Sequence, residues 1–221
     1  MRSPTLLETA VYNTTYWSYF WGMTLGWSLR TSGRPNLPMT GPVLLVANHQ
    51  SHFDPPLVGI TSRRRICYLA RSTLFKNPVF GKLIAMHGAV PIERDVGTDG
   101  LKAVWRLLDD GQAVIMFPEG TRSDDGQMQP FKAGISLLVK KANCKIVPVG
   151  IAGCYAAWPR QRTLPTPSPV LVAPTARTTS IHYGEAYESS IYRTMNRDAI
   201  LAHLESQVRA SVEVAELKRR K

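Results

Sequence analysis

Short apolar runs separated by polar turns and helical patterns organise most of the chain. Val43 to Ala47, Ile66 to Leu69, Ala89 to Ile92, Ala113 to Phe117 and Lys145 to Val149 are rich in Val, Ile and Leu and show little alternation. That pattern predicts strands covered on both faces, because a half-exposed strand would alternate apolar with polar residues. Between them, Asn77 to Met86, Thr98 to Asp110 and Phe131 to Lys141 read as helices. The second carries Leu101, Val104, Trp105 and Leu108 at helical spacing, a capping candidate at Thr98 and Gly111 just past its end. The order strand, helix, strand, helix predicts an α/β fold: a central sheet, mostly parallel or mixed, flanked by helices. Arg160 to Ser180, with Pro165, Pro167, Pro169 and Pro174, predicts a long surface loop, and Ser180 to Tyr183 a last strand. Ile200, Leu204, Val208 and Val212 step by four along a closing helix that ends in Lys218-Arg219-Arg220-Lys221.

The first thirty residues follow a different rule. Between Glu8 and Arg30 lies an uncharged stretch holding Tyr12, Tyr16, Trp17, Tyr19, Phe20, Trp21 and Trp27, interrupted by Asn, Thr, Ser and Gly. Tryptophan and tyrosine favour the headgroup zone of a bilayer, where a ring and a polar tip are both satisfied, so a helix here suits an interfacial anchor. A helix packed on the protein's own core is the competing reading, and a membrane span is a third that the polar interruptions disfavour. The turn-rich Ser32 to Pro38 sets the expected division: residues 1–34 as an anchoring segment and 35–221 as a catalytic domain. No secretory leader is read at the start, so the expected place of work is the cytoplasmic face of a membrane, peripheral or monotopic.

Composition narrows the partner. Lys and Arg outnumber Asp and Glu by 27 to 16 in 221 residues, a formal charge of +11 that calls for an anionic partner: nucleic acid, membrane surface or phosphorylated ligand. The charge is spread evenly, without an RNA-binding signature or zinc-finger spacing, which argues against nucleic acid. Cys67, Cys144 and Cys154 form neither an even disulfide framework nor a paired-cysteine metal motif, and read as small core residues.

Chemistry concentrates where strands end. Asn48-His49-Gln50-Ser51-His52-Phe53-Asp54 follows the first strand, at the edge where an α/β sheet presents its site. His49 and Asp54 meet only if the strand-to-helix turn folds the aspartate back. If they do, the carboxylate fixes the imidazole tautomer and His49 becomes a general base. Taken alone, that spacing is weak. Phe117-Pro118-Glu119-Gly120-Thr121-Arg122-Ser123 follows the fourth strand and Gly88 to Arg94 brings an arginine out of the third, so three strand ends converge. Arginines at such an edge suit a phosphate, since guanidinium donates two parallel hydrogen bonds to its oxygens.

At these residues the chain resembles the glycerolipid acyltransferases, most closely the 1-acylglycerol-3-phosphate acyltransferases. Four blocks appear in order: Asn48-His49 to Asp54, Gly88 to Arg94, Phe117 to Ser123, and Ile146-Val147-Pro148-Val149. The resemblance implies His49 as catalytic base and Asp54 as its orienting partner. It further implies Arg94, Glu119 and Arg122 as contacts to the acceptor phosphate and glycerol, Gly120 as the close-approach residue, and Thr121 and, with less weight, Lys132 beside them. Implied too are an acyl-CoA or acyl-carrier-protein donor, a lysophosphatidate-like acceptor, a membrane surface with anionic lipid, and no cofactor or metal. A rival metal site would use His49, His52 and Asp54. A covalent acyl-enzyme is disfavoured, because the chain has no G-x-S-x-G elbow and no cysteine paired in sequence with histidine. Acyltransferases for glycerol 3-phosphate or another lysolipid, and a non-enzymatic binder of anionic lipid or nucleic acid, are the alternatives.

Overall fold

A computed structural model describes residues 5–93, 97–171 and 173–221. In chain order the elements are α1 (Leu6–Trp27), β1 (Arg30–Ser32), β2 (Val43–Ala47), α2 (Asp54–Thr61), β3 (Ile66–Arg71), α3 (Pro78–Met86), β4 (Ala89–Ile92), α4 (Gly97–Asp109), β5 (Ala113–Met116), α5 (Gly134–Lys141), β6 (Lys145–Ala152), α6 (Cys154–Ala157), β7 (Ser180–Tyr183), β8 (Tyr187–Glu188) and α7 (Arg197–Arg219). The strands form one mixed sheet in the order β1-β7-β6-β2-β5-β3-β4, with β8 also on β6. β6, β2, β5, β3 and β4 run parallel, while β7 is antiparallel to β6 and β1 follows β7 in parallel.

The apolar runs are apolar because both sheet faces are covered. In β2, Val43, Leu45 and Ala47 enter one core with Leu57, Val58 and Ile60 of α2 and Met23 of α1. Leu44 and Val46 enter the other with Val104 and Leu108 of α4, Ile135 and Val139 of α5, and Ile200, Leu204 and Val208 of α7. The connection after β2 therefore leaves on one face and the connection after β5 on the other. Their divergence opens a crevice at the carboxyl ends of these adjacent strands.

Two expectations change at the sheet's other edge. Arg30–Ser32, placed by sequence at the end of an anchoring segment, pairs with β7 and is part of the sheet. The Pro-rich loop is partly a strap on the end of α1: Ser168 and Val170 donate main-chain N–H groups to Gly26 and Leu25, and the Trp27 indole donates to Thr166 O. Along α1, Tyr16, Tyr19, Phe20 and Trp27 pack on the core, and the Tyr16 hydroxyl donates to Ile60 O at 2.7 Å. His87, at the end of α3, bonds Thr15 Oγ1 at 2.8 Å and stacks on Tyr12. The opposite side exposes Leu6, Leu7, Trp17, Trp21 and Leu25. No helix among the described residues is long and apolar enough to cross a membrane.

α7 closes the fold by lying directly on β6. A Cβ on Gly150 would stand 2.1 Å from main-chain atoms of Ser211, so the contact is backbone on backbone. Gly150→Ala is expected to lose about 3 kcal/mol, at the upper end for overpacking, because neither partner is a side chain that can rotate away. Urea denaturation should show the midpoint falling.

Candidate active site

The turn after β2 folds back as the chemistry requires. Asp54, the first residue of α2, is fully buried, and its Oδ2 accepts from Gln50 N–H at 2.6 Å, Ser51 N–H at 2.7 Å and His49 Nδ1 at 2.8 Å. With Nδ1–H committed to the carboxylate, the basic nitrogen of the ring is Nε2, which has no protein partner among the described residues. The His49 side chain remains 17% exposed, and its ring stacks on Phe117 with centroids 4.1 Å apart.

Neighbouring strands hold the main chain of this turn. The Asn48 amide exchanges two hydrogen bonds with Ile151 of β6, at 2.8 and 2.9 Å, extending the ladder past the end of β2. His49 N–H donates to Glu119 Oε1 at 2.7 Å, and His49 O accepts from Ser123 N–H at 2.8 Å. Glu119 Oε2 accepts from Gln129 N–H at 3.0 Å, so both its oxygens are taken by backbone donors, and the residue is 3% exposed. Its side chain thus braces the histidine turn from beneath. Burial pushes its carboxyl up to about 7, further than the two N–H bonds pull it down.

Arg122 stands half-buried at the mouth of the crevice and donates through Nη1 to His52 Nε2, while the His52 ring leans on Trp158. Burial and the neighbouring Arg122 charge both lower the pKa of His52, in keeping with its part as acceptor. The residues weighed as metal ligands are thereby divided, His49 bonding Asp54 and His52 bonding Arg122. Thr121 is exposed and accepts from Arg160 at 3.4 Å. Gly120, at φ +73°, leaves space that the Lys132 side chain occupies: a Cβ there would stand 2.6 Å from Nζ. Arg94 lies outside the described residues, two positions beyond the end of β4.

Two cations escaped the sequence reading. Burial lowers the pKa of Arg122, and the guanidinium groups of Arg160 and Arg71 lower it further. The three guanidinium groups thus lie near enough to repel one another, and Arg160 is also paired with Asp124 at 3.4 Å. Arg71 ends β3 beside β4, and only the parallel topology brings it here. Arg160 sits in an aperiodic loop that carried no signal. Three consecutive arginines, Arg63 to Arg65, follow α2; Arg64 donates to Pro38 O and Gly41 O and Arg65 to Ala85 O, so two of the three fasten turns.

Comparison with known proteins fits this geometry. The acyltransferase family model matches residues 28–152, more than half of the chain and all the strand ends described above. The chain belongs to the acyltransferase family. It is 34% identical over 131 residues to a chloroplastic 1-acyl-sn-glycerol-3-phosphate acyltransferase of Brassica napus, covering 58% of this chain and 38% of that protein. It is 33% identical over 114 residues to the 1-acyl-sn-glycerol-3-phosphate acyltransferase of Helicobacter pylori, covering 50% of this chain and 48% of that protein. The matched regions thus span less than half of these curated relatives. The crystal structure of the 1-acyl-sn-glycerophosphate acyltransferase PlsC from Thermotoga maritima aligns with a TM-score of 0.74 at 24% identity, covering 95% of this chain and 79% of that one, which shows a shared fold.

The Glu119 brace carries a pH signature. Its carboxyl titrates at about 7 in the folded protein against an ordinary 4.5, so the folded state holds the proton more tightly. The stability this contributes is fully present below the ordinary value and is lost as pH rises towards the folded one. Glu119→Gln, which does not ionise, should flatten that decline in melting temperature between pH 4.5 and 7. It should also lower stability at the acid end by about 1–3 kcal/mol, because an amide nitrogen cannot accept from Gln129 N–H.

Proposed function

We propose that the protein transfers a fatty acyl group from a thioester donor, acyl-CoA or acyl-carrier protein, to the free hydroxyl of 1-acylglycerol 3-phosphate, forming phosphatidate. The observation that carries this reading is the His49–Asp54 pair, at 2.8 Å, with Nε2 free at the mouth of a crevice edged by guanidinium groups. His49 Nε2 takes the proton of the acceptor hydroxyl as its oxygen attacks the thioester carbonyl. The C–O bond forms, the C–S bond breaks, and the proton passes to the departing thiolate. Asp54 holds the ring and stabilises the imidazolium formed in between. Arg122 with Arg94 binds the acceptor phosphate, Lys132 adds a point charge, and Glu119, Gly120 and Thr121 shape the loop that presents them. The names of the relatives support the acceptor class.

The test is thiol release by the purified protein with lysophosphatidate and each donor type, set beside glycerol 3-phosphate as acceptor. His49→Ala should cost at least about 100-fold in rate in a variant that still folds, with some loss of melting temperature because Asp54 loses a donor; retention of more than about a tenth of the rate would remove His49 as the base. Arg122→Ala should lower kcat/KM for the phosphorylated acceptor by about 10- to 150-fold and leave that for the donor unchanged. Lysine at this position should rescue poorly, since an ammonium cannot supply the bidentate fork.

The reading includes an interfacial seat on the cytoplasmic face. A lipid acceptor leaves the bilayer only at about 0.8 kcal/mol per methylene, which a surface-bound enzyme largely avoids. Supporting it, α1 turns Leu6, Leu7, Trp17, Trp21 and Leu25 outward while its other side is docked, and a formal net charge of +11 over the chain favours anionic lipid. Trp17 and Trp21 are each 53% exposed, so Trp17→Ser with Trp21→Ser should leave the fold intact. It should weaken co-sedimentation with anionic vesicles by about tenfold or more, most visibly at high salt. Undiminished sedimentation would place the contact elsewhere.

A further inference from the structure

Behind the catalytic pair lie buried polar groups that the reaction as written does not use. Asp54 Oδ2 is crowded with three donors, yet its other oxygen, Oδ1, is buried and accepts no N–H or O–H. Facing the same carboxylate is the thiol of Cys154, the first residue of α6, itself wholly buried. A third group comes from α1. The Tyr19 hydroxyl is buried without a hydrogen-bond partner, and burial first, then the nearness of Cys154 and Asp54, raises its pKa.

A buried phenol O–H with nothing to donate to is costly, and phenylalanine would fill the same space without that cost. Here a buried donor without an acceptor and a buried acceptor without a donor lie near enough to act on one another electrostatically, beside the core that Phe53, Cys154 and Ala157 form and Tyr19 packs on. A hydrogen bond between the two, direct or through a water, would satisfy both.

We propose that Tyr19 is a positioning residue, donating to Asp54 Oδ1 alongside the Cys154 thiol, so that the seating of α1 sets the proton affinity of the His49–Asp54 pair. A donor on Oδ1 draws negative charge away from Oδ2 and weakens the hold of the carboxylate on an imidazolium. Loss of that donor concentrates charge on Oδ2 and makes His49 bind its proton more tightly. The other groups that face the pair are Glu119, His52 and Arg122, with Tyr68 of β3 beside Tyr19. All four are unchanged in the variants below. The inference rests on the reading of His49 as the base, and its test therefore includes a measurement that needs no turnover.

In the full chain, the imidazole of His49, assigned among five histidines by its loss in His49→Ala, is titrated by NMR. Tyr19→Phe should raise its pKa by about 0.5 unit and move the acid limb of the pH–rate profile by the same amount. Below that limb the rate should fall about threefold, with KM for donor and acceptor unchanged, because Tyr19 touches neither. Cys154→Ala should shift the titration in the same direction and Cys154→Ser, which keeps a donor, should restore it. If Tyr19→Phe does not fold, the cysteine pair decides. A His49 titration that superimposes on the wild type in the folded variants overturns the proposal, whatever happens to the melting temperature. If the wild type turns over no acyl donor, the reading of function fails while the titration still judges the coupling.

Discussion

Asp54 sits without solvent access at the start of α2, and one of its oxygens gathers the imidazole and two main-chain N–H groups. A carboxylate in that position is tolerable only because these donors replace the water it has lost, and because it stands in the first helical turn, where the backbone dipole favours negative charge. The turn after β2 has this shape because the donors must point inward. Asn48 and Glu119 then pin the turn to β6 and to the loop after β5, so a single desolvated group dictates the geometry of three strand ends.

The N-terminal helix follows from a different constraint. It is apolar on two sides. One side is used up by α2, α3 and the sheet core, and the other carries tryptophan and leucine into the open. Such a helix shows little amphipathic contrast along its sequence, because residues that pack inward and residues that face a surface are drawn from the same aromatic set. Of the competing sequence readings, the packed helix describes its inward face.

Legibility followed physics closely. Strands buried on both faces announced themselves as unbroken apolar runs, and β2 and β4 have the boundaries their composition predicts. The histidine–aspartate pair was legible because both members lie in one short turn. Arg30–Ser32 was not, because a three-residue strand owes its existence to a partner far along the chain and carries no apolar signature of its own. Arg71 and Arg160 were missed for a similar reason: charge gains meaning as a site only through neighbours that the topology supplies. Glu119 was read towards the substrate, as a contact to the acceptor's phosphate and glycerol. Both its oxygens in fact meet main-chain donors, which no pattern of residue types discloses.

The pairing of β1 with β7 also has a consequence in time. Arg30 meets Ser180, 150 residues later in synthesis. At about 5–20 residues per second, α1 waits roughly 8 to 30 s after emerging from the ribosome before the strand that follows it has a partner. For the first part of that interval its aromatic faces have neither sheet nor strap to cover them, since α2, the central strands and the strap emerge one after another behind it. On the proposed interfacial seat, the growing chain meets lipid before its catalytic domain has closed.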